Sequence, residues 1–325
     1  MRGVAGSSQA AVAAVASRNP ARAAAYARRH SIATAYGSYE ELLADPAIEC
    51  VYISLPNGLH FDWCLRALQA GKHVLCEKPL TATAAEAERL RAAATTADRI
   101  LVEGFMWRHH PQTDALSRLL TEGAVGQVER VRAVQGFDLL DKWSGSAPAD
   151  AGHGSAWQDD VRLSPELEGG AIADVGCYCV SAIRFVAGEP QGVVVRRRLG
   201  PSGVDLRATG ELHYTDGRVG EFECFMDFDR REELEIVGTD GVIHVHTPFL
   251  GGAPEIRLGN AAGIERLAMP QVDSYRLEVE ALSEAVRDGS APDPGLGDDY
   301  VAQAAVLEAV RRSAEADGAA VAVRR

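Results

Sequence analysis

The chain has 325 residues, of which 46% are hydrophobic and 24% charged, and 46 acidic against 33 basic residues give it a formal net charge of −13. This composition is typical of a globular protein, the length predicts two domains, and the negative field argues against nucleic acid as a partner. No apolar run approaches the ~18 residues of a membrane span and no export signal opens the chain, so we expect a cytoplasmic protein without a membrane partner.

The first hundred residues alternate short apolar runs with longer amphipathic segments. The apolar runs predict strands at residues 12–16, 50–55, 73–76 and 100–102. Cap signals predict helices from Asn19-Pro20 to about Arg29, from the capping box at Ser38 to about Asp45, over 58–69, and from a cap at Thr83 onward. Strands that alternate with helices at this spacing indicate βαβ units in a parallel, doubly wound sheet.

After about Arg130 the strands change in kind. Runs of alternating apolar and polar residues occur at 128–137, 192–199, 204–215, 218–229, 231–238 and 241–247. They predict an antiparallel meander with one solvated face, and such a face favours self-association as a homodimer or homotetramer through this sheet. Helices are predicted over 170–187, 274–287 and 298–316, which makes the second half an α+β domain with an open, mostly antiparallel sheet.

Three clusters of residues could carry chemistry. The segment Leu55–His60 follows one core strand, Glu77-Lys78-Pro79 ends the next, and Gly169–Tyr178 enters a helix of the second half. In open α/β sheets ligands bind beyond the carboxyl ends of the strands, so the first two clusters fall where a cofactor would lie.

These clusters carry a resemblance to a known family. Glu77-Lys78-Pro79, followed by the glycine-rich segment up to Tyr178, resembles the glucose–fructose oxidoreductase / inositol dehydrogenase (Gfo/Idh/MocA) superfamily. The runs Phe105–Gln112 and Asp174–Cys179 are most similar to its branch of dihydrodiol and xylose dehydrogenases, and the resemblance extends from Ala11 to the end of the chain.

The resemblance implies two domains with different roles. It implies a Rossmann-like NAD(P)-binding domain over residues 1–105 and a substrate-binding and oligomerisation domain over 106–325, whose last helices pack back on the first. The implied activity is the transfer of a hydride between a nicotinamide cofactor and a carbon of a sugar or cyclic diol.

Lys78 and Tyr178 are the candidates for handling the proton. A lysine at the end of a buried strand, followed by Pro79, faces the cofactor crevice; the alternative is a surface lysine. We expect the ammonium to lower the pKa of Tyr178 from its usual ~10, so that the pair can move a proton as the hydride passes. A core tyrosine with its hydroxyl at the rim is the alternative for Tyr178.

Asp174 lies four residues before Tyr178 and would share its face of a helix. It would orient the substrate hydroxyl or the Tyr–Lys pair, and the alternative is a carboxylate that stabilises the start of the helix. Gly176 between them would allow the cofactor or the substrate to come close.

Other residues are assigned to the crevice by position or by resemblance. The cofactor-binding candidates beside Lys78 are Leu55, Pro56, Asn57, His60 and Glu77, of which the last three would line the nicotinamide ribose. The substrate-binding candidates are Arg108, His110 and Arg162. Hydrogen bonding in a solvated loop or between the domains is the alternative for Arg108 and His110, and anchoring of a loop is the alternative for Arg162.

Ser17 and Arg18 follow the first predicted strand. In dinucleotide folds this position meets the adenosine ribose, where a carboxylate selects NAD and an arginine accommodates a 2′-phosphate. Since neither residue is acidic, the sequence favours NADP over NAD. The alternative is that Arg18 is an ordinary surface residue.

A Rossmann domain usually begins with a central strand and a G-x-G-x-x-G turn, and only eleven residues precede Val12. The fold is therefore predicted as N-terminally truncated, with unpaired edges on the strands at 12–16 and 50–55. Our preferred interpretation is that the sequence starts too late, and the alternative is a defective or repurposed relative.

Metal chemistry is not predicted, because Cys177 and Cys179 have no second cysteine pair and His213, His244 and His246 fall on strands of the meander. We therefore expect a cytoplasmic NADP-dependent oxidoreductase acting on a sugar or a cyclic diol. A nucleotide-sugar ketoreductase of an antibiotic-sugar pathway and a catalytically idle sensor are the alternatives.

Overall fold

Helices and parallel strands alternate through the first hundred residues of the computed structural model, which describes residues 2–139, 160–249, 253–289 and 299–324. In chain order these elements are α1 (Arg2–Ala5), β1 (Ala14–Ala16), α2 (Pro20–His30), β2 (Thr34–Tyr36), α3 (Tyr39–Ala44), β3 (Cys50–Ile53), α4 (His60–Gln69), β4 (His73–Glu77), α5 (Ala84–Ala97) and β5 (Leu101–Gly104). Strand β2, which is short and largely exposed, is the element that the apolar pattern missed.

The helix caps formed largely as their sequence signals predicted. The side chain of Asn19 accepts the backbone N–H three residues further on, and Thr83 with Glu86 forms a reciprocal capping box. Ser38 caps α3 by accepting the N–H of Glu41, but the Glu41 carboxylate accepts the N–H of the residue before Ser38. The box predicted there is therefore only half formed.

The parallel strands form two sheets instead of one. Strand β1 pairs with β2, whereas β4 pairs with both β3 and β5. Among the described residues β1 and β3 each keep one unpaired edge, as the sequence predicted, and Tyr52 on β3 is 49% exposed. The Rossmann-like parallel character of the first domain is confirmed.

The second half contains one large sheet flanked by helices. Its elements are α6 (Pro111–Thr121), β6 (Val128–Gly136), α7 (Cys177–Ala187), β7 (Gly192–Leu199), β8 (Asp205–His213), β9 (Val219–Phe225), β10 (Arg231–Gly238), β11 (Gly241–His246), β12 (Glu255–Asn260), β13 (Gly263–Ala268), α8 (Ser274–Asp288), α9 (Asp299–Glu315) and β14 (Val321–Ala322). Residue 298, where the last helix was predicted to begin, lies outside the described residues.

The large sheet has nine strands in the order β13-β12-β11-β10-β6-β9-β8-β7-β14. All its pairs are antiparallel except β6 with β9, which are parallel. The mostly antiparallel sheet is confirmed, but the simple meander is wrong, because β6 inserts between β10 and β9 instead of lying at the edge. A parallel pair requires a long connection, and the segment from β6 to β9 supplies it with α7.

The segment before α7 belongs to the core of the second domain. Residues Ile172–Gly176 form a π-helical turn that runs directly into α7. The stretch Pro165–Ala187 has the length and mean hydropathy (1.4) of a membrane span, but 83% of its most apolar window is buried inside the protein. This is the environment of a core helix.

The last two helices contact the first domain. Leu282 of α8 packs with Leu75 and Val102 on one face of the three-stranded parallel sheet. Tyr300 and Ala304 of α9 join the core on the other face, and later residues of α9 enter the core of the second domain. These contacts bring the end of β4 next to the start of α7.

Candidate active site

Lys78 extends from the end of β4 towards the second domain. Its ammonium donates to the backbone carbonyl oxygen of Asp174 at 2.6 Å and to Oδ1 of the same residue at 3.2 Å. The side chain is 11% exposed, which is not the environment of a surface lysine. Burial alone would lower the pKa of Lys78, but the charges around it, Asp174 first, outweigh burial and raise the pKa. The group is therefore an ammonium at neutral pH.

Tyr178 lies on the first turn of α7, and its ring is 5.0 Å from the Lys78 nitrogen. The two predicted proton-handling residues, one from each domain, therefore lie side by side. The Tyr178 hydroxyl donates to the thioether sulfur of Met106 at 3.6 Å, and the ring packs against Phe105 and Phe249 with centroids 5.5 Å away.

The electrostatic expectation for Tyr178 is wrong. Burial, followed by the nearby Tyr275 and Glu77, raises the pKa of the phenol well above its usual value. The reason is geometric: the ammonium of Lys78 lies over the ring, whereas the hydroxyl points to an apolar thioether. In this state the phenol is neutral.

Asp174 lies in the π-helical turn before α7, where it binds Lys78 four residues before Tyr178. Both its carbonyl oxygen and its carboxylate accept from Lys78, so the turn fixes the ammonium at the start of α7. The role predicted for Gly176 is wrong. A Cβ on Gly176 would lie 3.0 Å from Sγ of Cys224 and 3.3 Å from the carbonyl oxygen of Ala171, so this glycine faces the core and not the crevice.

His60 is a structural residue in this arrangement. It is completely buried, and its ring nitrogens lie 2.8 Å from the carbonyl oxygen of Pro79 and 2.7 Å from that of Leu55. Burial lowers the pKa of His60, while these two hydrogen bonds oppose the shift. Complete burial leaves no surface for the predicted ribose contact, and the ring instead ties together the two loops that carry Asn57 and Lys78.

Asn57 and Glu77 retain partly open positions at the crevice. The Asn57 amide donates to the carbonyl oxygen of Glu168 at 3.0 Å, which joins the loop after β3 to the second domain. The Glu77 carboxylate accepts from the hydroxyl of Tyr52. Contact of Asn57, Glu77, Leu55 and Pro56 with a cofactor remains a prediction.

Arg108 is a buried residue whose ion pair and hydrogen bond are made within the second domain. Its guanidinium pairs with the Asp299 carboxylate at 2.7 Å, donates to Ser181 Oγ at 2.9 Å, and is 9% exposed. These partners all lie within residues 106–325, and contact of Arg108 with a substrate remains a prediction. The same Asp299 pairs with Arg184 at 2.7 Å, and Gln303 donates to the carbonyl oxygen of Cys177.

The two remaining substrate candidates have different environments. His110 caps α6 by accepting the backbone N–H of Gln112 at 3.0 Å, and it lines a small cavity. Arg162 forms two hydrogen bonds with the Asp160 carboxylate, one at 2.8 Å, and its guanidinium lies over the ring of Phe137 at 5.5 Å. Anchoring of a loop, the alternative for Arg162, fits these contacts.

Ser17 and Arg18 lie just beyond β1. Ser17 Oγ accepts the backbone N–H of Asn19 at 3.2 Å, so this hydroxyl already forms a hydrogen bond within the protein. Arg18 is exposed, and within the described ranges its guanidinium forms no ion pair. An open guanidinium at this position fits the 2′-phosphate of NADP, although the assignment remains a prediction.

Sequence reasoning missed Met106, Phe249 and Asp299. Met106 receives the Tyr178 hydroxyl, Phe249 covers its ring, and Asp299 holds Arg108. Met106 lies in the run Phe105–Gln112 that carries the resemblance, but nothing in that run singles it out. No local pattern marks Phe249 or Asp299, because each meets its partner through tertiary contacts. Among the residues that the structure describes, no three His, Cys, Asp or Glu side chains gather as a metal-ligating group.

The family follows from comparison with known proteins. The family described as "Oxidoreductase family, NAD-binding Rossmann fold" matches residues 2–105, and the "GFO/IDH/MocA C-terminal domain" matches residues 113–244. The chain therefore belongs to the Gfo/Idh/MocA family of oxidoreductases, as its motifs indicated. Enzyme class and fold class are both confirmed.

Individual relatives include dehydrogenases and ketoreductases. A D-xylose 1-dehydrogenase (NADP(+)) of Haloferax volcanii is 38% identical, and the aligned region covers 95% of this chain and 91% of the relative. A dTDP-3,4-didehydro-2,6-dideoxy-alpha-D-glucose 3-reductase of Saccharopolyspora spinosa is 33% identical and covers 92% and 88%. A solved 3-ketoreductase from Actinomadura kijaniata, in complex with NADP and TDP-benzene, is 28% identical with a TM-score of 0.85, covering 96% and 92%.

Proposed function

We propose that this protein is an NADP-dependent oxidoreductase that moves a hydride between nicotinamide and a CH–OH or ketone carbon of a sugar or cyclic diol. The observation that carries this proposal is the convergence of Lys78 and Tyr178, whose nitrogen and ring centroid lie 5.0 Å apart although they come from different domains. The NADP dependence of the xylose dehydrogenase relative and the NADP in the solved ketoreductase support the cofactor assignment.

Tyr178 and Lys78 would handle the proton. Bound NADPH would supply the hydride to the carbonyl carbon, and NADP would accept it in the reverse direction. As the substrate oxygen gains charge, the Tyr178 O–H bond breaks and its proton passes to that oxygen. The ammonium of Lys78, 5.0 Å from the centroid of the Tyr178 ring, would attract the electron-rich ring of the phenolate that remains. Asp174, which holds Lys78 through two oxygens, is a positioning residue in this scheme.

The position of the Tyr178 hydroxyl is compatible with this role. A thioether is a weak acceptor, so the bond to Met106 at 3.6 Å is easily exchanged for one to a substrate oxygen. Because its pKa is raised, Tyr178 is protonated at neutral pH and therefore carries the proton that reduction of a ketone requires. In the oxidative direction the phenolate is required, and we therefore expect the oxidation rate to rise with pH.

Replacing Tyr178 by Phe tests the proposal, because the ring keeps its packing and only the hydroxyl is lost. We expect turnover, followed by NADPH absorbance with D-xylose, other aldoses and cyclic diols, to fall by about 10²–10⁴-fold. NADP affinity, measured by fluorescence, should remain nearly unchanged. The matched control is Y214F, which removes a buried hydroxyl that donates to the carbonyl oxygen of Gly188. Equal turnover of Y178F and Y214F would contradict the role of Tyr178.

A nucleotide-sugar ketoreductase is the second candidate. It is supported by the reductase of Saccharopolyspora spinosa and by the TDP-benzene bound in the solved ketoreductase, which also exists with a lysine or a tyrosine replaced. Competition decides between the two: inhibition of turnover by dTDP at micromolar concentration favours the nucleotide sugar, and no inhibition favours a free sugar or diol. Binding of NADPH without turnover of any substrate would favour the idle sensor.

Self-association through the nine-stranded sheet is also proposed. Its solvated face carries crossed ion pairs, such as Arg132 with Glu223 and Glu233, each at 3.8 Å. In a two-fold dimer the same face of a second copy would lie opposite, and its acidic and basic side chains would pair with those of the first copy. Sedimentation equilibrium measures the outcome, and a monomer at all concentrations would contradict it.

A further inference from the structure

A small cavity lies beside the proposed active site. Phe249 forms part of its wall, and the ring of Phe249 also contacts the ring of Tyr178, with centroids 5.5 Å apart. The cavity has a volume of about 10 Å³, counted as the space in which the centre of a water molecule fits. This is enough for one water molecule or one hydroxyl group. The cavity is therefore a neighbour of the proton-handling tyrosine and is too small for a whole ring.

Three polar side chains of the cavity wall have atoms without partners. Within the described part of the chain, Nε1 of Trp107, Oε1 of Gln112 and Oγ1 of Thr247 are buried and form no hydrogen bond. Trp107 is 2% exposed and Gln112 is 4% exposed, so water at the surface cannot satisfy them. Native proteins rarely leave such groups unpaired unless a ligand or an ordered water completes them.

The backbone at Thr247 adds an independent observation. Its φ of +49° lies in the left-handed region, and among the described non-glycine residues with positive φ it is the one with a β-branched side chain. This conformation is unfavourable for such a residue, and strain of this kind concentrates at ligand sites. Thr247 lines the same cavity as Trp107 and Gln112.

We propose that this cavity binds one hydroxyl group of the substrate, at a carbon other than the one that exchanges hydride; this rests on the proposed function. Trp107 Nε1 can only donate and Gln112 Oε1 can only accept, and a hydroxyl does both. A carboxylate could not donate to Gln112, and an ammonium could not accept from Trp107. The side chains of Pro248, Phe249 and Pro254 offer apolar contacts to the C–H groups that carry the hydroxyl.

The experiment compares D-xylose with its three analogues that each lack one hydroxyl away from the anomeric carbon. The variant is Q112M, which removes the acceptor at similar volume. The matched control is Q135M, because Oε1 of Gln135 is also buried and without a partner among the described residues, but Gln135 does not line the cavity. Thermal unfolding confirms that both variants fold.

The proposal predicts a specific pattern of kinetic constants. With the wild-type protein, one analogue should lose about tenfold or more in kcat/KM, mainly through KM. Q112M should show the same loss with D-xylose and no further loss with that analogue, whereas Q135M should behave as wild type. Equal constants for all four sugars, or equal effects of Q112M and Q135M, would overturn the proposal.

Failure of the proposed function gives a different result. If the wild-type protein turns over neither sugars nor cyclic diols with NADP+ or with NADPH, the oxidoreductase proposal fails, and the cavity is then tested by calorimetric titration with D-xylose. Binding that Q112M weakens and Q135M does not would support the cavity as a hydroxyl site. Absence of binding, or equal binding by both variants, would overturn it.

Discussion

Glu103 supports the loop that carries Lys78, and it does so as a carboxyl group with little access to water. Its Oε1 accepts the backbone N–H of Leu80 at 2.8 Å, and the residue, which lies on β5, is 8% exposed. Burial raises the pKa of Glu103 to about 7, against the opposing effects of the Leu80 hydrogen bond and of Arg108 and Arg184. The native protein therefore holds a proton on Glu103 that the unfolded chain releases.

This proton makes stability depend on pH. Because the pKa of Glu103 is higher in the folded state, the contribution of Glu103 to the free energy of unfolding falls as pH rises from about 4.5 to about 7 and then levels off. We expect E103Q, which keeps an acceptor for Leu80, to be more stable than the wild type at pH 8, by on the order of 1–3 kcal/mol. Near pH 4.5 the two should be alike. Urea unfolding at both pH values measures this, and an equal difference at both would contradict it.

Single residues could be assigned where the chain itself fixes their position. Lys78 ends a buried strand, and the resemblance of its motif and of Gly169–Tyr178 to one family predicted that Lys78 and Tyr178 approach each other, as they do. The direction of Gly176 and the burial of His60 depend on Cys224 and on two loop carbonyls, which are set only by packing. The pKa of Tyr178 depends on the apolar residues that surround it, and no local pattern indicates them.

Helices α7 and α9 are joined by a buried ionic network. Arg184 of α7 is 1% exposed at its side chain and pairs with Glu189 at 2.6 Å and with Asp299 of α9 at 2.7 Å. Gln303 accepts from Arg184 at 2.6 Å and donates to the carbonyl oxygen of Cys177. The network therefore fixes the first turn of α7, where Tyr178 lies, against the last helix.

Removal of Arg184 should be costly, because it leaves Glu189 without its cation and Asp299 with Arg108 alone. We expect R184L to lower the free energy of unfolding by about 3–5 kcal/mol. The control is E40A, which breaks the exposed pair of Glu40 with Arg66, a change that should cost about 0–1 kcal/mol. Denaturant unfolding of both variants is the measurement. Comparable losses would show that the network contributes no more than a surface pair.

Elements were predictable wherever periodicity and caps agreed. Strands β7 and β10 have the predicted bounds, and α2 and α5 begin at the predicted caps. Helix α6 and the last hairpin, β12 with β13, were not predicted; β13 is almost wholly exposed, so it carries no apolar alternation. The parallel pairing of β6 with β9 could not be predicted, because the alternation of apolar and polar residues along a strand does not show in which direction its neighbour runs.

At the scale of the whole molecule, the two cores share one helix. Tyr300 and Ala304 of α9 are buried in the core of the parallel sheet, whereas Val306 and Val310 are buried in the core of the nine-stranded sheet. Because both cores lose apolar contacts when α9 leaves, we expect thermal unfolding of the full chain to be a single transition. Two resolved transitions in calorimetry would contradict this.

The shared helix also limits how the chain can be divided for laboratory work. A fragment ending at Gly289 would expose apolar surface on both halves at once, so we expect it to be recovered as aggregate. A fragment ending at Gly318 loses only β14 and should remain dispersed with a slightly lower Tm. The first half expressed alone would lack α9 and so would report on the missing helix and not on the half itself. Segmental labelling or split-protein designs for this enzyme would therefore have to supply α9 to both halves.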